Sequence, residues 1–349
     1  MAYTDIDKPS DYFNTAPYSG DSNTTQAITG VGFQPDWVWI KSRSSAANHN
    51  LWDIIRGTSK YLKSNSTDAE ITDATLFNSF NSDGFTVGNG GIVNDSGQTY
   101  VGWCWKGANG TASNTDGSIT STVSANTTSG FSVVSYTGTG SNATVGHGLG
   151  TTPAWVLVKE RGASGESWNN FHQSLGAGIT IMLNLTNAQQ SSSTMWNNTA
   201  PTSSVFSVGA DAGSNGSSKT YIAYCFAEKK GYSKFGSYTG NGNSNGTFVY
   251  TGFKPAWVMC KISSNGDSWV VYDNKRDTFN VTEQILRPNT SGTEGTESGA
   301  KMDLLSNGFK LRGSGGGLGQ TNTSGETYIY MAFAENPFVT STGIPTTAR

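Results

Sequence analysis

The sequence predicts an all-β protein made of three tandem β-sandwich units of jelly-roll or lectin-like kind. Three observations carry that expectation. Gly 44, Ser 44, Thr 43 and Asn 30 account for 161 of 349 residues, and these residue types supply tight turns. Aromatic residues reach 11%, with 10 Trp, 14 Tyr and 16 Phe, and together with β-branched residues they favour strands. The residues of helical bundles and coiled coils, by contrast, are scarce. Finally, the chain repeats itself, with the same landmarks in the same order three times.

The first landmark is an apolar strand entered through proline. It reads Pro35-Asp36-Trp37-Val38-Trp39-Ile40-Lys41, then Pro153-Ala154-Trp155-Val156-Leu157-Val158-Lys159, then Pro255-Ala256-Trp257-Val258-Met259-Cys260-Lys261. Apolar residues at nearly every position predict a strand covered on both faces. A polar turn and a second strand follow, most clearly as Ser263–Asp267 before Trp269-Val270-Val271-Tyr272-Asp273, a hairpin signature. The aligned segments are Asn50–Asp53 and Asn169–His172. The second landmark is a turn and strand at Gly84-Phe85-Thr86-Val87, Val205-Phe206-Ser207-Val208 and Gly308-Phe309-Lys310-Leu311. The third closes each unit: Thr99-Tyr100-Val101-Gly102-Trp103-Cys104-Trp105, Thr220–Phe226 and Thr327–Phe333. A Tyr-x-Gly triplet opens each unit at Tyr18, Tyr136 and Tyr238.

These spacings divide the chain into an N-terminal arm at 1–11, units at 12–107, 130–229 and 230–338, and a tail at 339–349. Residues 108–129 are mostly Gly, Ala, Ser, Thr and Asn and read as a flexible linker or an extended arm. The short second junction predicts that units two and three sit close together, with unit one freer. The best helix candidate is Asp68–Phe80.

Net charge is −3 and the pI is about 5.6. The basic residues are scattered, with no run of three, so nucleic-acid binding is not expected. No stretch is apolar enough to span a membrane. The first residues lack the basic and apolar regions of a secretory signal, which predicts synthesis in a cytoplasm.

The recurring Trp37, Trp155 and Trp257 read as core, and Tyr100, Tyr221 and Tyr328 as buried rings whose hydroxyls bond a turn. Aromatics outside these columns are the better ligand candidates, because a flat ring stacks on the apolar face of a sugar. They are Trp168, Trp196 and Trp269, with His49 in the column of the first and last; that column is expected to be half exposed. His172 aligns with Asp53 and Asp273 as a polar strand-end position. Lys41, Lys159 and Lys261 form a column expected to pair with a nearby carboxylate such as Asp53 or Asp273.

The chemistry of catalysis is thin. Cys104, Cys225 and Cys260 fall in apolar columns and read as small hydrophobes, with no disulfide framework. No His-x-x-x-His or Cys-x-x-Cys pair points to zinc. The Asn/Asp/Gly turns offer oxygen ligands to Ca²⁺, but none fits an EF-hand. Gly313–Gly319 lacks the Lys-Ser/Thr of a P-loop and reads as a hairpin tip. Glu70, Glu160, Glu166 and Glu283 fall in non-equivalent places, so no glycosidase pair recurs. No catalytic residue, cofactor or metal is assigned.

The run Trp103-Cys104-Trp105-Lys106-Gly107, the segment Asn114–Val123, Gly130–Gly138, and Val145–Gly150 followed by Pro153–Lys159 resemble a repeat unit of phage structural proteins. Such units occur in virion and tail-fibre-type proteins of marine phages, notably those of cyanobacteria. The resemblance spans nearly the whole chain and implies a place on a virus particle. It implies a non-enzymatic tail-associated fibre or adhesin that contacts a host surface glycan or protein. The alternatives are a capsid decoration or head-fibre protein and, as an enzyme, a glycan depolymerase. Other virion proteins are the implied partners. Met1–Asp11 or Asn336–Arg349 would be a docking arm that is mobile in the free protein. A homotrimer fits phage appendages, and three internal copies offer a trimer within one chain.

Overall fold

The aromatic and branched runs pair as antiparallel strands, and among the described residues α-helix is confined to two four-residue turns. The computed structural model describes residues 3–314 and 319–346. The first stretch of chain holds β1 (Phe13–Ser19), β2 (Gln26–Ile28), β3 (Trp37–Ser42), β4 (Asn50–Asp53), β5 (Lys60–Lys63), β6 (Ile71–Thr72), β7 (Phe77–Asn81), β8 (Gly84–Val87), α1 (Gly91–Asn94) and β9 (Thr99–Trp105). They form a sheet ordered β1-β9-β3-β4-β5-β6 and a small one ordered β2-β8-β7.

The second stretch holds β10 (Ala112–Asn114), β11 (Ser121–Asn126), β12 (Phe131–Thr137), β13 (Ala143–Gly146), β14 (Trp155–Glu160), β15 (Asn169–His172), β16 (Ile179–Met182), β17 (Gln190–Ser191), β18 (Val205–Val208), α2 (Ala212–Asn215) and β19 (Thr220–Phe226). Its sheets are β10-β11-β12-β19-β14-β15-β16-β17 and β13-β18. The third holds β20 (Ser233–Thr239), β21 (Phe248–Tyr250), β22 (Phe253–Ile262), β23 (Val270–Asp273), β24 (Gln284–Ile285), β25 (Gly295–Thr296), β26 (Met302–Leu305), β27 (Gly308–Leu311) and β28 (Thr327–Pro337). Its sheets are β20-β28-β22-β23, β21-β27-β26 and β24-β25.

The centre of each large sheet has the same order and register. Tyr18 faces Tyr100, Tyr136 faces Tyr221, and Tyr238 faces Tyr328. Each pair stacks with ring centroids 5.0–5.2 Å apart. The closing-strand tyrosines bond a turn, as expected: the hydroxyls of Tyr100, Tyr221 and Tyr328 accept the N–H of Asp95, Gly216 and Thr323. Beside them sits a further column, not anticipated from the sequence, of the buried Asn94, Asn215 and Asn322. Each amide binds the loop after the opening strand; Asn215 Oδ1 accepts from Thr139 N–H, and Nδ2 donates to the carbonyls of Ser141 and Gly209.

Both faces of each large sheet are covered. One face packs on its own small sheet: Val38, Ile40 and Phe85 in the first stretch, Val156, Val158 and Phe206 in the second, Val258, Cys260 and Phe309 in the third. The opposite faces meet in one central core that includes Trp37, Trp39, Trp103 and Trp105 with Trp155, Tyr224, Phe226, Trp257 and Phe333. Trp37 stacks on Tyr224 with centroids 4.3 Å apart.

Several expectations are corrected by this arrangement. The first stretch is not freer than the others, because its tryptophans fill the shared core. Asp68–Phe80 is not helical; Ile71–Thr72 and Phe77–Asn81 are strands, and their pairing with β5 and β8 outweighed the helix-favouring Ala69, Glu70 and Ala74. The linker is an extended arm, not a flexible tether: β11 pairs with β12 and β10 with β11. The N-terminal arm is docked on its own chain, with Ile6 buried in the central core and Asp5 N–H bonded to Lys230 O at 2.9 Å. Of the Gly313–Gly319 segment, 315–318 lie outside the described residues.

Candidate binding face

The polar side chains of the core form seams between the three stretches, and they run in a ring. Asp53 is buried with Arg56, Nε to Oδ2 at 2.5 Å, and accepts the hydroxyl of Tyr224 from the second stretch at 2.8 Å. Arg56 lies 3.7 Å from Glu70, which grips Arg161 of the second stretch at 2.8 Å. Burial works to raise the Glu70 pKa, but the Arg161 hydrogen bond and the neighbouring cations outweigh it and hold the pKa below the ordinary value. The third stretch repeats the chain against the first. Asp273 pairs with Arg276 at 2.5 Å and accepts Trp103 Nε1–H at 3.0 Å. Arg276 pairs with Glu294 at 2.8 Å, and Glu294 with Arg43 at 2.7 Å.

The seam from the second stretch to the third is the uncharged version. His172 stands for the Asp, Leu175 for the Arg, Gln189 for the Glu and Ser263 for the Arg across the seam. The backbone link survives, since Gln189 N–H bonds Ser263 O at 2.9 Å as Glu70 bonds Arg161 and Glu294 bonds Arg43. Burial pushes His172 down to a pKa of about 4.

Each sequence candidate for ligand stacking lies inside. Trp168, Trp269 and His49 are 0% exposed and Trp196 is 1%. The expected half exposure is therefore corrected. Trp168 Nε1 donates to Lys63 O of the first stretch at 2.8 Å, and Trp269 Nε1 to Met182 O of the second at 2.9 Å. His49 accepts Trp39 Nε1–H at 2.9 Å and lies beside the backbone of Arg287 in the third. That column closes the seams, so its polar ring edge binds a neighbouring stretch rather than a ligand. Trp196 packs edge-on to Phe171, centroids 6.2 Å apart.

The lysine column is also corrected. Lys41, Lys159 and Lys261 are buried and bond backbone carbonyls, not Asp53 or Asp273. Lys159 reaches Thr67 O of the first stretch, and Lys261 reaches Thr186 O of the second. Burial, only partly opposed by nearby carboxylates, lowers all three pKa values to about 8. The three cysteines are free and buried, and burial raises their pKa values. Among the described residues no group of three or more His, Cys, Asp or Glu side chains is placed to hold a metal.

Apart from Tyr3 in the N-terminal arm, the exposed aromatics among the described residues lie on the third stretch. Leu286 lies thirteen positions after Asp273, whereas Leu62 lies nine after Asp53 and Ile181 nine after His172. The four extra residues raise a loop carrying Phe279, which is 81% exposed. The loop is pinned on both sides. Asn280 Nδ2 donates to Leu304 O at 3.0 Å, Leu304 N–H donates back to Asn280 Oδ1 at 2.9 Å, and Asp277 Oδ2 accepts Glu283 N–H at 2.8 Å.

A cleft of about 360 Å³ opens on one side, where Lys254, Asn274, Asp277 and Glu335 line it beside Phe279. A shallower one of about 600 Å³ lies on the other, lined by Val281, Glu283, Lys301, Asp303 and Arg312. It continues onto the outer face of β21-β27-β26, where Phe248 faces Lys310 and Lys310 faces Asp303. Phe248 is 44% and Tyr250 61% exposed. By register on the shared Phe85, Phe206 and Phe309 position, Phe248 corresponds to Ala27 and Thr144. Tyr250 corresponds to Gly146 in the same way. Small residues stand at these places in the other stretches, so the repeated fold does not require an aromatic ring there.

Residues 8–337 match DUF7483, a domain of unknown function. The chain belongs to that family. The DUF7483 match takes in all three large sheets and the Phe279 loop. No curated protein matches the chain. The recurring sequence columns do not single out Phe279; its one signal in the sequence is the four-residue excess between aligned columns.

Proposed function

We propose that this protein is a non-enzymatic binding module of a phage particle, a tail-associated fibre or adhesin, built as three lectin-like β-sandwich units. Its contact surface is the Phe279 loop with the clefts on either side, and its ligand is a host surface glycan or protein. The carrying observation is an aromatic ring left 81% exposed on a loop that hydrogen bonds hold in place. A rigid, exposed ring beside amides, carboxylates and a lysine suits the apolar and hydroxyl faces of a sugar. The carboxylates of the seams support a non-enzymatic reading, since the buried Asp53 and Asp273 and the half-buried Glu70 and Glu294 are committed to ion pairs. The phage setting rests on the sequence resemblance.

The test is binding of purified protein to host cells and isolated cell-wall polysaccharide, with Phe279→Ala as the comparison. Retained binding by the variant overturns the assignment of the surface, and no binding by the native protein overturns the adhesin reading. The second reading is a capsid decoration or head-fibre protein, which rests on the same sequence resemblance. Immunogold labelling of particles separates head from tail.

A further inference from the structure

The three stretches treat one sheet edge in three different ways. The edge is the outer side of the opening strand, β1, β12 or β20, continued by the small-sheet strand β2, β13 or β21. In the second stretch the chain covers it with its own arm. Thr122 pairs with Ser135 on β12. Farther along, Ile119 forms a parallel bridge to Val145 on β13, with Ile119 N–H bonded to Thr144 O at 2.9 Å. Ser118 Oγ accepts Thr144 N–H, also at 2.9 Å. Ile119 is buried there among Tyr136, Val145 and Leu149.

In the first stretch the position of Ser135 is taken by Pro17, which has no N–H to offer. Proline is a standard way to blunt an edge against pairing. The third stretch has neither device. The matching residue is Ser237, and it is exposed. Phe248 stands at the place of Thr144. Thr247 O takes the N–H of Leu311, so the next residue, Phe248, turns its own N–H and C=O outward. Among the described residues nothing pairs with the outward groups of Ser237 or Phe248.

We infer that this edge accepts an extended segment of a partner protein as an added strand. The protein's own arm defines the occupant's chemistry: a short run of small polar residues with one branched aliphatic side chain, like Asp116-Gly117-Ser118-Ile119-Thr120-Ser121-Thr122. Main-chain hydrogen bonds supply affinity in such additions, and the inserted side chain supplies selectivity. The segment is shorter than the arm. Gly146 packs against Asn114 in the second stretch, whereas the third carries Tyr250 at that position, so no counterpart of Asn114 fits. This inference stands independently of the Phe279 surface.

The test uses a synthetic peptide of residues 116–122 and the full chain, read by amide hydrogen exchange. Exchange at Ser237 and Phe248 is expected to slow about tenfold at saturating peptide. A peptide carrying Ile119→Asp is expected to protect neither. Ser237→Pro in the protein, which copies the device at Pro17, is expected to abolish protection with an unchanged melting temperature. If that variant does not fold, Phe248→Pro removes the second outward N–H and is expected to give the same loss. A change of exchange confined to Ser135 and Thr144, which the arm already covers, would mean that the peptide only displaces the arm, and overturns the inference. So does protection that survives both proline variants, or none at millimolar peptide.

Discussion

The hydroxyl of Tyr224 donates to the carboxylate of Asp53 across 2.8 Å, joining the second stretch to the first inside the core. Trp103 makes the corresponding bond to Asp273, joining the first to the third. Where the third stretch meets the second, the pair is Met331 and His172, neither charged nor mutually bonded, and His172 Nε2 sits 3.4 Å from Tyr330 O instead. Both sides of that seam differ from their counterparts in the other two. A carboxylate opposite methionine would be a buried charge without a partner, which costs several kcal/mol.

Tyr224→Phe removes one bond from Asp53 and leaves Arg56 in place. Urea unfolding is expected to show a loss of about 1–3 kcal/mol. Arg56→Met strands the buried carboxylate and is expected to cost about 3–5 kcal/mol. Equal, small effects for both would refute the account of the seam.

Residues 130–229 are not expected to fold as a native-like unit when expressed alone. Trp155, Leu157, Trp168, Tyr224 and Phe226 would face water instead of the shared core. Dye binding and sedimentation check this; a monomeric fragment with a sharp thermal transition would contradict it.

The tryptophans and Phe279 are expected to behave oppositely. Trp168→Ala opens a cavity and breaks the bond to Lys63 O, for a loss of about 3–5 kcal/mol. Phe279→Ala is expected to change stability by less than about 0.5 kcal/mol, because its ring is in solvent. Thermal denaturation of both variants decides the matter.

Stability is expected to rise from pH 8 to pH 10. In the folded chain Lys41, Lys159 and Lys261 lose their protons near pH 8, while in the unfolded chain they hold them to near the ordinary value of 10.5. Between those values the unfolded state binds more protons, so raising the pH favours the fold, by up to about 1.4 kcal/mol per pH unit for each lysine. Urea midpoints across that range provide the measurement, and replacing one lysine by Met should flatten the rise. A midpoint that falls steadily from pH 8 would rule out buried lysines of this kind.

His172 acts at the other end. With a folded pKa of about 4 against 6.5 for an unperturbed ring, it resists protonation in the fold. Its contribution declines as the pH falls from 6.5 toward 4, and His172→Gln should lessen that acid sensitivity.

The legible part of this protein lay in its columns. Trp37, Trp155 and Trp257 declared themselves as core by recurring beside apolar neighbours, and Tyr100, Tyr221 and Tyr328 by following a turn. Trp168, Trp269 and His49 misled, because variation within a column looked like tolerance of solvent. Their rings are instead fitted to different partners across the seams, which no comparison of the chain with itself displays. Phe279 went unremarked because it has no column at all.

Sequence alone determined the all-β class and the thrice-repeated order of strands, since turn residues, branched residues and period-two alternation act locally. Tertiary structure decided what the second face of each large sheet meets, because that face is buried by residues of the other two stretches, such as Tyr224 against Trp37. Burial in that common core turned apparent ligand platforms and surface lysines into seam contacts. It left outward the Phe279 loop and, on β20 and β21, the edge groups of Ser237 and Phe248.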